Sequence, residues 1–320
     1  MLPTLADIES ASGIVYSAMA ATPQYRWPLL RDRLGTEAWL KHENHTPVGA
    51  FKIRGGLVYF ADLVKNRKVK GVISATRGNH GQSVGLAARR CGIPAKIVVP
   101  HGNSVEKNAA MRSLGVELIE HGEDFQAARE HAEALAREHS LHMVPSFHPL
   151  LVAGVATCGM ELLRSVPDLE MVFVPIGLGS GICGMLAARD ALGAKTEVVG
   201  VVSAQARAYA ASFAARRPID SEATTRLADG LACRTPEPEA LEIIGRGVDR
   251  IVEVSDAEVA EAIRVIFECT HNTSEGAGAA AVAAAMQERS RTAGRRIALI
   301  LSGGNIDREV FASVLAGTFR

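Results

Sequence analysis

Short runs of consecutive apolar residues recur along this chain, and stretches with helical spacing separate them. The runs lie at residues 71–75, 95–100, 116–119, 171–175, 198–203 and 297–302. Apolar side chains on successive positions suit strands buried on both faces of a parallel sheet, because half-exposed strands alternate instead. Residues 124–139 and 256–269 are expected as helices. In the second, Val259, Ile263, Ile266 and Phe267 fall near helical spacing, and Ser255 with Glu258 forms a capping-box pattern at its start. The Ala-rich stretch 276–286 reads as a buried helix. Alternation of strand and helix implies an α/β fold with right-handed crossovers. The first three runs are expected in one small sheet and the later ones in another, which makes two lobes with a cleft between them. Residues 216–238, richer in Pro, Thr and charge, read as a loop beside a site rather than as a domain joint.

Composition narrows the partners. With 48% hydrophobic and 22% charged residues among 320, a substantial core can form. Lys plus Arg and Asp plus Glu both number 35, so no net charge marks the chain for nucleic acid or an anionic membrane. Small metabolites remain. The 5 cysteines (Cys91, Cys158, Cys183, Cys233 and Cys269) are odd in number and form no Cys-x-x-Cys pair, which fits a reducing compartment. The first residues lack the basic start and apolar run of a signal peptide, and no charge-free apolar stretch reaches the roughly 18 residues of a membrane span. A cytoplasmic protein is expected.

Three Gly-rich segments each follow or end an apolar strand, where open α/β sheets bind ligands. They are Thr76-Arg-Gly-Asn-His-Gly-Gln-Ser83, Gly177-Leu-Gly-Ser-Gly-Ile-Cys-Gly184 and Ser302-Gly-Gly-Asn305. The second precedes a helical run expected from about Ile182. Glycines there let backbone N–H groups approach an anion, and a helix N-terminus adds its dipole. Taken alone, that loop equally suits a dinucleotide pyrophosphate or a tight turn, although a full Gly-x-Gly-x-x-Gly and a Gly-Lys-Ser/Thr ending are both missing. Lys52 lies in Pro47-Val-Gly-Ala-Phe-Lys-Ile-Arg-Gly-Gly56. A lysine in isolation is a solvated surface charge. Flanked by Phe51 and Ile53, this one is a candidate for burial, which lowers the pKa of an amine toward that of a nucleophile or base.

Taken in order, residues 50–56, Gly78-Asn-His-Gly-Gln82, the 177–184 loop and Leu301-Ser-Gly-Gly-Asn305 resemble the pyridoxal-phosphate-dependent threonine dehydratase and serine racemase family, which has the tryptophan-synthase-β-like fold. Thr22-Pro23, Ala228-Asp-Gly-Leu-Ala232 and Glu275-Gly-Ala-Gly278 match the same pattern. The resemblance implies a small domain of residues 45–151 inserted in a large cofactor-binding domain formed by 1–44 and 152–320. It implies that Lys52 carries pyridoxal 5'-phosphate as a Schiff base and, once freed, removes the substrate Cα proton. Phe51 would pack on the ring, and Asn79 would bond its hydroxyl. Gly177, Leu178, Gly179, Ser180 and Gly181 would hold the phosphate, and Ser302 would meet the pyridine nitrogen. Gly230 and Glu275 would line the pocket. Thr76, Arg77, Asn79 and His80 would lie against the substrate, with its carboxylate in that loop. The implied partner is a small amino acid, and the implied assembly is a homo-oligomer, a dimer being favoured.

The implied activity is dehydration and deamination of a β-hydroxy-α-amino acid (of threonine, serine, 3-hydroxyaspartate or phenylserine type) to a 2-oxo acid and ammonia. A neutral Ser302 at the ring nitrogen suits prompt loss of a β-hydroxyl. Departures from the family pattern sharpen this. Gly177-Leu-Gly-Ser-Gly181 stands where four consecutive glycines and a Leu are usual, and Ala50 stands where Ser is frequent. Arg77 occupies the position at which racemases of the family carry a second proton-handling Ser. An Arg rarely deprotonates, so racemisation ranks below dehydration. Arg77 either meets a polar group on the substrate side chain or is an outward-facing or structurally paired cation. No metal is expected: the stretch 204–212 lacks the carboxylates that a cation site after the strand 198–203 would need, and His42 and His45 read as strand-end residues. No regulatory extension is expected after Ser302. Outside this cofactor class, a nucleotide-dependent oxidoreductase using the 177–184 loop and a non-catalytic ligand-binding relative stay open.

Overall fold

A computed structural model describes residues 2–319. Its strands are β1 (Gln24–Tyr25), β2 (Glu37–His42), β3 (Val72–Ala75), β4 (Ala95–Val99), β5 (Glu117–Glu120), β6 (His142–Met143), β7 (Met171–Pro175), β8 (Glu197–Ser203), β9 (Arg250–Val254) and β10 (Arg296–Leu301). They form two sheets. A six-stranded sheet runs in the order β1-β2-β10-β7-β8-β9 and a four-stranded sheet in the order β5-β4-β3-β6. Every pairing is parallel except β1 with β2. The smaller sheet is built wholly from chain between β2 and β7, so the chain leaves the larger sheet once and returns to it.

The apolar runs form strands because both faces of each sheet are covered. On the larger sheet, Phe173, Leu299 and Leu301 face one core with the helices Asp256–Thr270 and Gly276–Gln287. Val172, Val174, Ala298 and Ile300 face the other core, with the helices Pro149–Ser165 and Ser180–Ala191. Alternate residues thus serve opposite layers, which period-2 geometry requires. In the smaller sheet, Ile73 and Val98 meet Ala128 and Ala132 of the helix Phe125–His139, whereas Val72, Ile97 and Val99 meet Val84, Ala87 and Met111. The expected capping box is present: Ser255 Oγ accepts from Glu258 N at 3.3 Å, and Glu258 Oε2 accepts from Ser255 N at 2.8 Å. No described helix is long and apolar enough to cross a membrane.

A buried ion network anchors the helix that begins at Lys52. Arg54, fully buried, donates to both carboxylate oxygens of Glu43 at 2.7 and 2.9 Å and to both of Glu161 at 2.6 and 2.9 Å. Lys41 Nζ also reaches Glu161, at 2.5 Å, and Thr22 and Thr157 hydroxyls complete the cluster. Lys41 and Glu43 come from the end of β2 and the turn after it, and Glu161 comes from the helix Pro149–Ser165.

Candidate active site

The carboxyl ends of β3, β7 and β10 place the three Gly-rich segments around one cleft. After β7 the chain turns through residues 176–179 into the helix Ser180–Ala191, which starts two residues before the position expected at Ile182. Ser180 is therefore in the helix's first turn, and Gly179 is its N-cap. The N–H groups of residues 178–181 meet no acceptor in the surrounding loops, which leaves them for an anion. Tyr209 braces the loop: its hydroxyl donates to the Leu178 carbonyl at 3.0 Å and accepts from Glu237 N at 3.1 Å. Gly230 closes it from the other side. Its carbonyl oxygen would lie 2.4 Å from a Cβ on Gly177, so only Gly fits there.

Lys52 opens the helix Lys52–Asn66 directly after Phe51. Its Nζ donates to Ser180 Oγ at 2.9 Å and lies 5.0 Å from the Phe51 ring centroid. Burial brings its pKa down to about 8. The same backbone is stitched to the loop after β10: Phe51 N donates to the Ser302 carbonyl at 3.0 Å, and Gly304 N donates to the Gly49 carbonyl at 2.9 Å. Ser302 is buried, and its hydroxyl has no hydrogen-bond partner among the described residues. Phe51, Gly181 and Ser302 line one cavity.

The β3 loop supplies the opposite wall. Thr76 is buried and accepts from Gly78 N at 3.0 Å. His80 lies beside Lys52; burial, aided by the Lys52 charge, holds its pKa down to about 3, so the ring is neutral. Its Nε2 is buried with no partner, a poised polar atom of the sort expected where a ligand binds. Arg77 is exposed and makes no hydrogen bond or ion pair among the described residues, which removes the structurally paired reading. Asn79 Nδ2 donates to Glu275 Oε1 at 2.5 Å, and Asn79 Oδ1 accepts from Asn305 Nδ2 at 2.8 Å. Glu275 is the buried N-cap residue of the helix Gly276–Gln287.

Sequence reasoning overlooked one participant. Lys107, on the helix Val105–Ser113, is buried between Asp229 Oδ2 at 2.8 Å and Glu275 Oε2 at 3.2 Å. Asp229 and Asn305 stood inside quoted segments, but nothing local distinguishes Lys107 from a surface lysine. His42 and His45 stack at 4.9 Å, and His42 Nε2 accepts from Trp27 Nε1 at 3.0 Å. They sit at the end of β2 and in the turn after it.

The residues fit a phosphorylated aromatic aldehyde. A low-pKa amine can condense with the aldehyde, free N–H groups can take the phosphate, Phe51 offers a ring face, and the unpaired Ser302 hydroxyl offers a partner for a ring nitrogen. Comparison with known proteins agrees. Residues 15–303 match the family model described as pyridoxal-phosphate dependent enzyme, and the chain belongs to that family. It is 35% identical over 305 residues to an L-threonine ammonia-lyase of Thermotoga maritima, covering 95% of this chain and 76% of that one. It is 30% identical to an L-threo-3-hydroxyaspartate ammonia-lyase of Saccharomyces cerevisiae, covering 99% of this chain and 98% of the relative. Among solved structures, the processed form of threonine deaminase isoform 2 from Solanum lycopersicum superposes with a TM-score of 0.91 at 31% identity, covering 98% of this chain and 92% of that one.

Proposed function

We propose that this enzyme dehydrates and deaminates a β-hydroxy-α-amino acid, releasing a 2-oxo acid and ammonia. The observation that carries the reading is the buried Lys52 amine, hydrogen-bonded to Ser180 and lowered to about 8: it is placed to take a proton, whereas His80 is held down to about 3 and the position before Gly78 carries Arg77 rather than a hydroxyl. Inversion at Cα needs a proton carrier on each face, whereas elimination needs one base. Bound pyridoxal phosphate supplies an electron sink that acidifies the substrate Cα–H.

In this reading the N–H groups of residues 178–181 hold the phosphate, Ser302 faces the ring nitrogen and Asn79 faces the ring hydroxyl. Thr76, His80 and the Asn79 backbone N–H take the substrate carboxylate. Lys52 removes the Cα proton, and the β-hydroxyl departs as water after gaining a proton. Ser180, hydrogen-bonded to the Lys52 amine, is the nearest hydroxyl to pass that proton on. The released enamine is hydrolysed by water to the 2-oxo acid and ammonia. Incubation with both stereoisomers of threonine, serine, 3-hydroxyaspartate and phenylserine, with 2-oxo acid measured, tests the reading. Racemised substrate without 2-oxo acid would overturn it.

The finer assignments are part of the same proposal. The segment 45–151 works as a small lobe against the remainder, in a cytoplasmic homo-oligomer, most simply a dimer. Free cysteines and exposed Tyr25, Leu29 and Phe267 support those two assignments. Arg77, exposed and unpaired, takes a second carboxylate on the substrate side chain. Arg77→Ala is expected to raise KM for 3-hydroxyaspartate by about tenfold or more, the worth of one charged hydrogen bond, and to leave threonine and serine little changed. An unchanged ranking of substrates would remove Arg77 from the site.

The titration of Lys52 gives a further check. Only the free amine attacks an aldehyde, and half of Lys52 is free at its lowered pKa of about 8. Cofactor-free protein should take up pyridoxal phosphate, trapped on Lys52 by borohydride, at a rate that climbs with pH and levels off above about 8. A climb centred near the ordinary lysine value of 10.5 would show that burial does not act on this amine.

A further inference from the structure

Asn79 is held in a chain of hydrogen bonds whose direction is set at both ends. At one end Asn305 Nδ2 donates to the Val48 carbonyl at 2.8 Å and to Asn79 Oδ1 at 2.8 Å. A backbone carbonyl only accepts, so the Asn305 amide has one allowed orientation, and Asn79 must offer its oxygen to it. At the other end, Asn79 Nδ2 donates to Glu275 Oε1 at 2.5 Å. An ionised carboxylate also only accepts. Between a pure donor and a pure acceptor the Asn79 amide cannot turn over. One of its two N–H bonds stays uncommitted.

The condition is that Glu275 be ionised. Its carboxylate is buried, and Oε2 has no hydrogen bond. What faces that oxygen is the Lys107 ammonium at 3.2 Å, too poorly aligned for a hydrogen bond but close for an ion pair. The other charge nearby, Asp229, is itself paired to Lys107 at 2.8 Å and repels a charge on Glu275. Burial outweighs its neighbours and leaves the Glu275 carboxyl above its ordinary value, and Lys107 is the largest influence holding it down against a further rise. Lys107 itself stays charged: burial opposes the charge, but Glu275 and Asp229 outweigh it.

The stem of Lys107 reaches this position over Gly78, where a Cβ would lie 2.4 Å from Lys107 Cδ. Its helix is docked at its start. Ser104 Oγ donates to Asp307 Oδ1 at 2.5 Å, and Arg308 N donates to Glu106 Oε1 at 2.9 Å. The ammonium is thus delivered from the smaller sheet's side to a carboxylate on the larger one.

We propose that Lys107 is a positioning residue: through the charge on Glu275 it locks the Asn79 amide so that its remaining N–H is presented to the cofactor ring hydroxyl. The proposal rests on the cofactor reading of the site, and its test separates the two. Lys107→Met removes the charge and keeps much of the apolar stem. Glu275 should then protonate and cease to be an obligate acceptor, so that Asn79 is fixed at the Asn305 end alone and its free N–H is no longer held in one direction. Glu275→Gln should have the same consequence, and in that background Lys107→Met should cost nothing further.

Three readouts apply. In 15N-labelled cofactor-free protein, the side-chain amide signal that vanishes in Asn79→Ala should move in Lys107→Met and return in Lys107→Arg. The dissociation constant for pyridoxal phosphate should rise about tenfold in Lys107→Met and in Glu275→Gln, with the double variant within about threefold of either single one. The absorption maximum of the bound cofactor should shift alike in all three. An unmoved Asn79 signal with unchanged affinity would overturn the proposal. So would losses that multiply in the double variant, because Lys107 would then act by packing or through Asp229. If the unaltered protein takes up no pyridoxal phosphate, the cofactor reading fails, while the Asn79 signal still decides whether Lys107 positions it.

Discussion

Lys52→Ala is expected to lower 2-oxo acid release by at least about a thousandfold, because it removes both the amine that anchors the cofactor and the base that takes the Cα proton. General-base removal alone accounts for a factor of about 10²–10⁴. Lys52→Arg should be no better: a guanidinium retains its proton at any working pH and cannot condense with an aldehyde. The loss is chemical rather than structural. The Lys52 side chain makes one hydrogen bond, to Ser180, and its ammonium is disfavoured by its surroundings. Lys52→Ala should therefore unfold at the same temperature as the parent or slightly higher. Steady-state kinetics with the preferred amino acid, together with a melting curve, provide the check. A variant that keeps a tenth of the activity would move the chemistry to another residue, and one that fails to fold would show Lys52 to be structural.

How well this site could be read from sequence depended on where the deciding contacts lie. Phe51 and Lys52 follow no apolar run and were legible through the family pattern of residues 50–56. Ser180 and Ser302 follow strand ends that announce themselves as apolar runs, and a strand end followed by glycine is local information. The central strands β7, β8 and β10 were legible for the same reason: both faces are covered, so the runs are continuous. The strand β2 was read only at its end, through His42 and His45, and not as an apolar run. It ends Trp39-Leu40-Lys41-His42, and its Lys and His look solvated, whereas both are fully buried. What permits their burial is Glu161 for Lys41 and Trp27 for His42, partners far away along the chain. The edge strand β9 was missed through its charges. Arg250 pairs with Glu288 and Glu253 with Arg207, so its polar positions belong to ion pairs rather than to a loop. Lys107 is the sharpest instance. On a helix with a polar sequence it reads as surface, and only the approach of Glu275, more than a hundred and fifty residues on in the chain, makes it part of the site. Motif and periodicity report the residues that touch a ligand at strand ends; they are silent on those that act through another side chain across the cleft.

Arg54→Met is expected to destabilise the fold by about 3–5 kcal/mol, the cost of leaving buried carboxylates without their cation. Arg54 is fully buried and satisfies four carboxylate oxygens, two on Glu43 and two on Glu161. Lys41 remains to compensate Glu161, but Glu43 would keep only the Thr22 hydroxyl, and Thr22 itself loses a donor. Dependence on pH identifies the cause. In the parent, burial alone would push the Glu43 carboxyl up, yet Arg54, helped by Lys41 and Thr22, holds it below the ordinary value of 4.5. A depressed carboxyl contributes stability that is present above its unfolded pKa and lost as pH falls through its folded one. Without Arg54 the burial effect dominates, the folded pKa moves above the unfolded one, and the sign reverses: the variant pays for an ionised Glu43 at high pH and is relieved as the carboxyl protonates. The gap between variant and parent should therefore be widest near pH 8 and narrow toward pH 5, as read by urea unfolding at each pH. Adding Glu43→Gln to Arg54→Met should recover much of the loss, because the uncompensated charge is then gone. A gap below about 1 kcal/mol, or one independent of pH, would mean that the network relaxes around the missing cation.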